Sequence, residues 1–279
     1  MMQAMIFAAG KGTRLKPLTD TMPKALVEVG GQPLIEQVIL KMKAAGFTHL
    51  VINVHHFANQ IIDFLRAHDN FGLDIQISDE TDGLLETGGG IKKAGPLFRK
   101  DCPILIHNVD ILSNVDLRKF YSLAPSMMTG DDVSSHREVG ATLLVSWRVT
   151  QRYMIFDQDM LLVGWIHLGT GEVKSPYDWV KAMPMPRTAE ECVLMNSCPA
   201  DATAGMRQLR FYAFAGMHNF SPSLLPLMAG YPDKFSIIDF YLQTCHVQPI
   251  RGYLKEDLRL MDVGKLETLK EAESFLATL

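Results

Sequence analysis

The stretch from Gln3 to Arg14, QAMIFAAGKGTR, is an apolar run stopped by Gly10 and followed at once by Lys11-Gly12. A short continuous apolar run of this kind suits a strand buried on both faces, which is the usual state of a parallel strand. Downstream, Pro33 opens PLIEQVILKMKAAG, a helical repeat with Ile35, Val38, Ile39 and Met42 on one face and Gly46 as its stop. His49 to Val54 (HLVINV) reads as the second strand, Phe57 to His68 as the next helix, and Leu73 to Ser78 as the third strand. After a glycine-rich turn, Ile91 to Phe98 reads as a short helix, and Pro103 to Val109 (PILIHNV) as a fourth buried strand. Strand alternating with helix through about 110 residues predicts a parallel sheet with helices on both faces. In such sheets, ligands bind beyond the carboxyl ends of the strands.

Past Asp110 the alternation loosens. Gly140 to Trp147, Arg152 to Phe156 and Leu161 to Leu168 read as strands, the last two as a hairpin. Residues 174–208 hold four prolines and little periodicity, which predicts a long loop. A strand follows at FYAFAGMHNF, then two short helices, one more strand pair within IRGYLKEDLRLMDVG, and an amphipathic C-terminal helix from Lys265.

Composition narrows the class. The chain has 279 residues, 47% hydrophobic and 21% charged, with net charge −4, so it is a globular protein able to bury a full core. No basic face points to nucleic acid, and no apolar run approaches the length of a membrane span. The apolar start is too short for a signal-peptide core, so the expected compartment is cytoplasmic. Cys102, Cys192, Cys198 and Cys245 have neither disulfide-scaffold density nor zinc spacing.

The loop after the first strand is built for an anion. Glycines allow successive N–H groups to turn toward one point, as in a phosphate-binding nest. The Walker pattern fails here, because the Gly-Lys pair is followed by Gly12, and the dinucleotide fingerprint fails at Leu15. The longer segment Ala8 to Leu26, AAGKGTRLKPLTDTMPKAL, reads G-x-G-x-R-x-x-P-L-T-x-x-x-P-K-x-L. It resembles the signature of the sugar-1-phosphate nucleotidyltransferases. In physical terms, Arg14 and Lys24 bring a bidentate and a point cation to one loop. Pro17 and Pro23 reduce the entropy lost on closing it.

A second segment, Leu84 to Ile91 (LLETGGGI), resembles the base-recognition loop of the same family. Its form is most similar to the branch that uridylylates N-acetylmuramate 1-phosphate, with close variants among mannose- and heptose-1-phosphate guanylyltransferases. Three glycines let a planar base lie against main chain. Asn108-Val109-Asp110 ends the fourth strand where family members carry N-G-D, and Leu260-Met261-Asp262-Val263-Gly264 resembles their W-x-D-x-G-T. A cap onto the last helix is the competing reading for Asp262.

The resemblance implies an α/β fold with a Rossmann-like, mostly parallel sheet flanked by helices and an interleaved sugar-binding portion. It implies one nucleotidyltransferase domain over 1–279, with a nucleotide-binding half at 1–115 and a sugar-phosphate half at 116–279. The implied catalytic residues are Arg14, Lys24 and Asp110, with Asp110 and Asp262 holding Mg²⁺. Nucleotide binding falls to Ala8, Ala9, Gly10, Gly12, Thr13, Glu86, Thr87, Gly88 and Gly89, and sugar-phosphate binding to Asn108, Glu172 and Lys174. The implied partners are an NTP (UTP first, GTP second) and a sugar 1-phosphate, in a monomer or small homo-oligomer. A catalytically silent sugar-nucleotide-binding relative is the alternative of another class.

Overall fold

The chain opens with β1 (Met2–Phe7), a two-stranded turn of β2 (Glu28–Val29) and β3 (Gln32–Pro33), and α1 (Leu34–Ala45). There follow β4 (Phe47–Val54), α2 (Ala58–Ala67), β5 (Asp74–Asp79), α3 (Glu86–Ala94), β6 (Ile104–Asn108), β7 (Ile111–Ser113) and α4 (Leu117–Tyr121). This computed structural model describes residues 1–125, 139–197 and 208–279, so Cys198 lies outside the described residues. Two compact units are formed. The first gathers the described residues of 1–127 with Asn219–Ser236 and Leu258–Leu279, and the second holds those of 128–218 with Ile237–Asp257.

In the first unit β1 pairs in parallel with β4 on one side and β6 on the other, and β5 extends the sheet beyond β4. The order β6-β1-β4-β5 reverses direction at β1, which makes the crevice outside the carboxyl ends of β1 and β6 the topological switch point. The predicted inward face of α1 is observed: Ile35, Val38, Ile39 and Met42 are buried, and Gly46 closes the helix.

One helix differs from expectation. The glycine-rich stretch is the first turns of α3, which begins at Glu86 rather than Ile91. A Cβ at position 88 would lie 2.4 Å from the Phe235 ring, and one at position 89 would lie 2.0 Å from the Asp233 carbonyl. Glycine in a helix interior costs about 1 kcal/mol relative to alanine. Seating the helix on the 233–235 main chain requires it regardless.

The second unit contains β8 (Ala141–Ser146), β9 (Arg152–Phe156), β10 (Leu162–His167), β11 (Glu172–Lys174), α5 (Asp178–Lys181), α6 (Ala189–Ser197), all but the last two residues of β12 (Arg210–Phe220), α7 (Ile237–Thr244) and β13 (Ile250–Leu254). β9 and β10 form the expected hairpin, with β11 beyond β10 and β12 on the other side of β9, all antiparallel. Residues 174–208 are not simply a loop: α5 and α6 bury Val180 and Cys192 against Tyr153, Ile155 and Phe211. Their brevity leaves too few turns for a readable period.

β14 (Leu260–Asp262) and α8 (Leu266–Leu276) return the chain to the first unit. The two strands expected as a pair near the C-terminus do not meet. β13 joins β8 in parallel, and β14 joins β7 antiparallel. No helix among the described residues is long and apolar enough to cross a membrane.

Candidate active site

At the carboxyl edge of the first unit's sheet, Phe7 stands beside Asn53 and Asn108, and Asn53 beside Ser78. A cavity of about 450 Å³ opens beyond these strand ends. That is within the size range of small-ligand sites. Its wall includes the entire run from Phe7 to Arg14, with Lys24, Asn53, Glu80, Leu84, Glu86, Thr87, Asn108, Val109, Asp110 and Gly264. Ala8, Ala9, Gly10, Gly12, Thr13, Arg14, Lys24, Glu86, Thr87, Asn108 and Asp110 are thus brought to one cavity.

The phosphate-loop geometry comes from local chemistry. Gly12 has φ +61°, a left-handed conformation that costs a β-carbon-bearing residue strain. Its carbonyl accepts from Leu15 N at 2.8 Å and Thr19 Oγ1 at 2.8 Å, which folds the loop back on itself. A Cβ at 12 would also press to 2.8 Å from the Thr19 methyl. Pro23 leads into the turn that carries Lys24, whose side chain is buried and ion-paired to Asp110 Oδ2.

The two aspartates are assembled by an antiparallel ribbon. Asp262 is in register with Ile111, and Val263 N donates to the Asp110 carbonyl at 2.9 Å, so the two acidic residues are neighbours across β7 and β14. The cap of α8 is Lys265, three residues on, so the helix-cap reading of Asp262 is not what the fold uses. Val109, where relatives of this pattern carry glycine, has a buried side chain and donates its N–H to Phe7 O at 3.1 Å. The turn therefore needs no glycine. Gly264 is different. A Cβ there would lie 2.6 Å from Asp262 Oδ1 and 2.7 Å from Arg14 Nη2, so both groups press onto its backbone.

Two carboxylates suit a hard cation that completes its shell with water and substrate phosphate oxygens. Among the described residues no cluster of three or more His, Cys, Asp and Glu side chains forms a fuller cage. Asp110 and Asp262 fit Mg²⁺ in this sense.

Behind the strand edge lie two basic side chains, Lys41 half-buried and His107 buried. Lys41 donates to the Ser113 carbonyl, and burial pushes its ammonium down to about 8. Burial, with Lys41 nearby, pushes His107 down to about 4, so its imidazole is neutral at physiological pH.

Gly88 and Gly89 do not line the cavity. Their N–H groups donate to Phe235 O at 2.9 and 3.2 Å, so this part of the loop serves helix packing, while Leu84, Glu86 and Thr87 face the cavity. Glu86 has φ +62°, a strained value for a glutamate. Glu172 and Lys174 belong to the second unit, where Lys174 Nζ lies 3.0 Å from Asp239 Oδ1 and 3.9 Å from Glu172. Two cavity residues escaped the sequence reading, Asn53 and Glu80. A polar residue within the otherwise apolar run LVINV, Leu50 to Val54, is the signal that could have marked the first.

Residues 3–134 match the nucleotidyl transferase family. Through this segment the chain is similar to sugar-1-phosphate nucleotidyltransferases. It is 43% identical over 135 residues to the N-acetylmuramate α-1-phosphate uridylyltransferase of Neisseria meningitidis, covering 48% of this chain and 57% of that one. It is 37% identical over 120 residues to the mannose-1-phosphate guanyltransferase of Kluyveromyces lactis, covering 42% and 33%. These matches span about half the length of such curated relatives, or less.

Similarity of fold extends through the chain. HddC from Yersinia pseudotuberculosis, crystallised with GMP-PN, superposes with TM-score 0.65 at 17% identity, covering 99% of this chain and 100% of that one. The inositol-1-phosphate CTP transferase from T. maritima gives TM-score 0.66 at 12% identity, covering 99% and 96%. The expected mostly parallel sheet flanked by helices is therefore the architecture of this chain.

Proposed function

We propose that this protein transfers a nucleotidyl group from an NTP to a sugar 1-phosphate, releasing pyrophosphate. One observation carries the reading: Arg14, Lys24 and Asp110 line one cavity at the switch point, with Asp262 beside Asp110 across the ribbon.

A sugar-phosphate oxygen attacks the α-phosphorus in line. One P–O bond forms, the α–β bridging bond breaks, and the electron pair leaves with pyrophosphate. The second ionisation of a phosphate monoester lies near pH 6, so the nucleophile is already anionic and no general base is required. Catalysis then rests on positioning and on neutralising charge. Arg14 and the Gly10–Thr13 main chain hold the β- and γ-phosphates. Lys24 stabilises charge on the reacting phosphate. Mg²⁺, when bound by Asp110 and Asp262, supplies a Lewis acid for the phosphate oxygens. Asn108, Glu172 and Lys174 are assigned to the sugar phosphate, and the protein works in the cytoplasm as a monomer or small homo-oligomer.

The favoured pair is UTP with an amino-sugar or hexose 1-phosphate of the N-acetylmuramate type. The LLETGGGI loop and the identity to uridylyltransferases of that kind support it. GTP with mannose or heptose 1-phosphate is the second reading, supported by the guanyltransferase matches. The test is Mg²⁺-dependent pyrophosphate release from four NTPs, each against N-acetylmuramate, N-acetylglucosamine, glucose, mannose and heptose 1-phosphates. Release in one combination establishes enzyme, base and sugar together. Nucleotide binding without release in any combination favours the silent, sugar-nucleotide-binding relative.

A further inference from the structure

Asn53 and Glu80 are almost wholly buried, at 2% and 0% exposure, in the floor of the nucleotide cavity. Asn53 lies near the end of β4, and Glu80 follows β5 directly. Their side chains form one continuous hydrogen-bonded line. Asn53 Oδ1 accepts from Ala8 N at 2.8 Å and from Ala9 N at 3.4 Å. Asn53 Nδ2 donates to Glu80 Oε1 at 2.7 Å, and Glu80 Oε2 accepts from Leu85 N at 3.3 Å. The line begins on the main chain that leads into the phosphate loop. It ends on the main chain that leads into Glu86 and Thr87.

The polarity of this line has one solution. Turning the Asn53 amide over would set its NH₂ against two peptide N–H groups and its oxygen against a carboxylate. Room for the pair is made by α3, because a Cβ at Gly90 would lie 2.9 Å from Glu80 Oε1 and 3.3 Å from Asn53 Nδ2. A buried carboxylate met by an amide and a peptide N–H is costly to disturb, since any lost partner leaves a desolvated polar group.

We propose that Asn53 and Glu80 are a positioning pair that sets the distance between the Ala8–Ala9 main chain and the Leu84–Thr87 loop, and thereby the nucleotide affinity of the site. The polar atoms of the pair are engaged with each other and with the Ala8, Ala9 and Leu85 main chain. The pair acts by holding two walls of the cavity in register, so its loss falls on nucleotide binding and not on sugar-phosphate binding. This rests on the nucleotidyltransferase reading above.

Exchange of the two polarities tests it. Asn53→Asp alone sets two carboxylates face to face. Glu80→Gln alone sets an NH₂ against either Asn53 Nδ2 or Leu85 N. The double variant Asn53→Asp/Glu80→Gln satisfies every group again. The new carboxylate at position 53 accepts from Ala8, Ala9 and the new amide at position 80, and the oxygen of that amide accepts from Leu85. Calorimetric affinity for Mg²⁺·UTP and Mg²⁺·GTP is measured beside affinity for sugar 1-phosphates and thermal midpoint. Each single variant is expected to weaken the better nucleotide about tenfold while leaving sugar-phosphate affinity within about twofold, and the double variant to return within about threefold of the parent. Gly90→Ala, which crowds the pair from the helix side, is expected to weaken nucleotide in the same way.

Folded single variants that bind nucleotide as the parent does would overturn the proposal. So would parallel loss of nucleotide and sugar-phosphate binding, which marks a merely structural role. If the single variants do not fold, Gly90→Ala decides on the same two affinities. Failure of the parent protein to bind any NTP would instead remove the nucleotidyltransferase reading itself.

Discussion

The ammonium of Lys24 and the carboxylate of Asp110 form an ion pair across 86 residues of chain, with both side chains largely withdrawn from solvent. Lys24 is delivered by the turn after Pro23, and Asp110 by the residues that follow β6. The same carboxylate is the proposed metal ligand. The lysine ammonium therefore stands beside the carboxylate proposed to hold a cation.

A divalent ion at Asp110 is expected to compete with Lys24 for that carboxylate. Lys24→Met is expected to tighten Mn²⁺ binding to the nucleotide-free protein about tenfold, because removing a neighbouring positive charge favours a second one at that carboxylate. The same variant is expected to lower turnover on the order of 10³-fold through loss of charge stabilisation. Electron paramagnetic resonance titration reads the first effect. Unchanged or weaker Mn²⁺ binding in the variant would show that the lysine does not compete.

Gly264 offers a cleaner probe of geometry than either aspartate. Gly264→Ala places a methyl group against both Asp262 Oδ1 and Arg14 Nη2, and it introduces no charge. Displacement of reacting groups by about 1 Å costs about 10²-fold in rate, so a loss of that order is expected with little change in thermal midpoint. Full activity in this variant would mean that Arg14 and Asp262 tolerate being moved.

The turn after α2 stores strain without obvious use. Asp69, Asn70, Phe71 and Gly72 have φ of +49°, +48°, +57° and +68°, four consecutive left-handed residues. Each such residue other than glycine costs about 1–2 kcal/mol, less for asparagine and aspartate. Asn70→Gly is expected to stabilise the protein by a few tenths to about 1 kcal/mol, after the extra chain entropy of glycine is set against it. Urea unfolding measures this, and a destabilised variant would show that the Asn70 side chain contributes more than its backbone loses.

His218 predicts the acid limb of stability. Burial pushes its imidazole down to about 3 from 6.5, and among the described residues neither ring nitrogen has a hydrogen-bond partner. Its ring lies edge-on to Tyr241, whose buried hydroxyl also has no such partner. The unfolded chain takes up this proton near pH 6.5 and the folded chain does not, so stability falls as pH drops from about 6.5 toward 3. His218→Phe is expected to remove roughly 2 kcal/mol of the stability lost between pH 7 and pH 5. Equal acid sensitivity of parent and variant would assign that limb to other groups.

Much of the site was legible because it is local. The apolar run ending at Ala9, the glycines, Arg14 and Lys24 lie within a single segment of the chain, and a strand's carboxyl end can be read from hydrophobic periodicity alone. Asp110 was legible for the same reason, as the first acidic residue after a buried strand. Glu172 and Lys174 are assigned by the resemblance alone, and both belong to the second unit.

By itself, then, the sequence determined the alternation of strands and helices, the anion-binding loop and the residue types that the chemistry needs, since these depend on neighbours along the chain. Tertiary structure alone decided what remote segments do to one another. It joined β14 to β7 so that Asp262 stands beside Asp110, although 152 residues separate them in number. It turned Gly88 and Gly89 into a helix seat on the main chain at 233–235, and it drew Asn53 and Glu80 into one buried line. Hydrophobic period encodes which face of an element is buried. It carries no information on which distant backbone fills the space opposite, and that is set by ladder pairing and close packing in the folded chain.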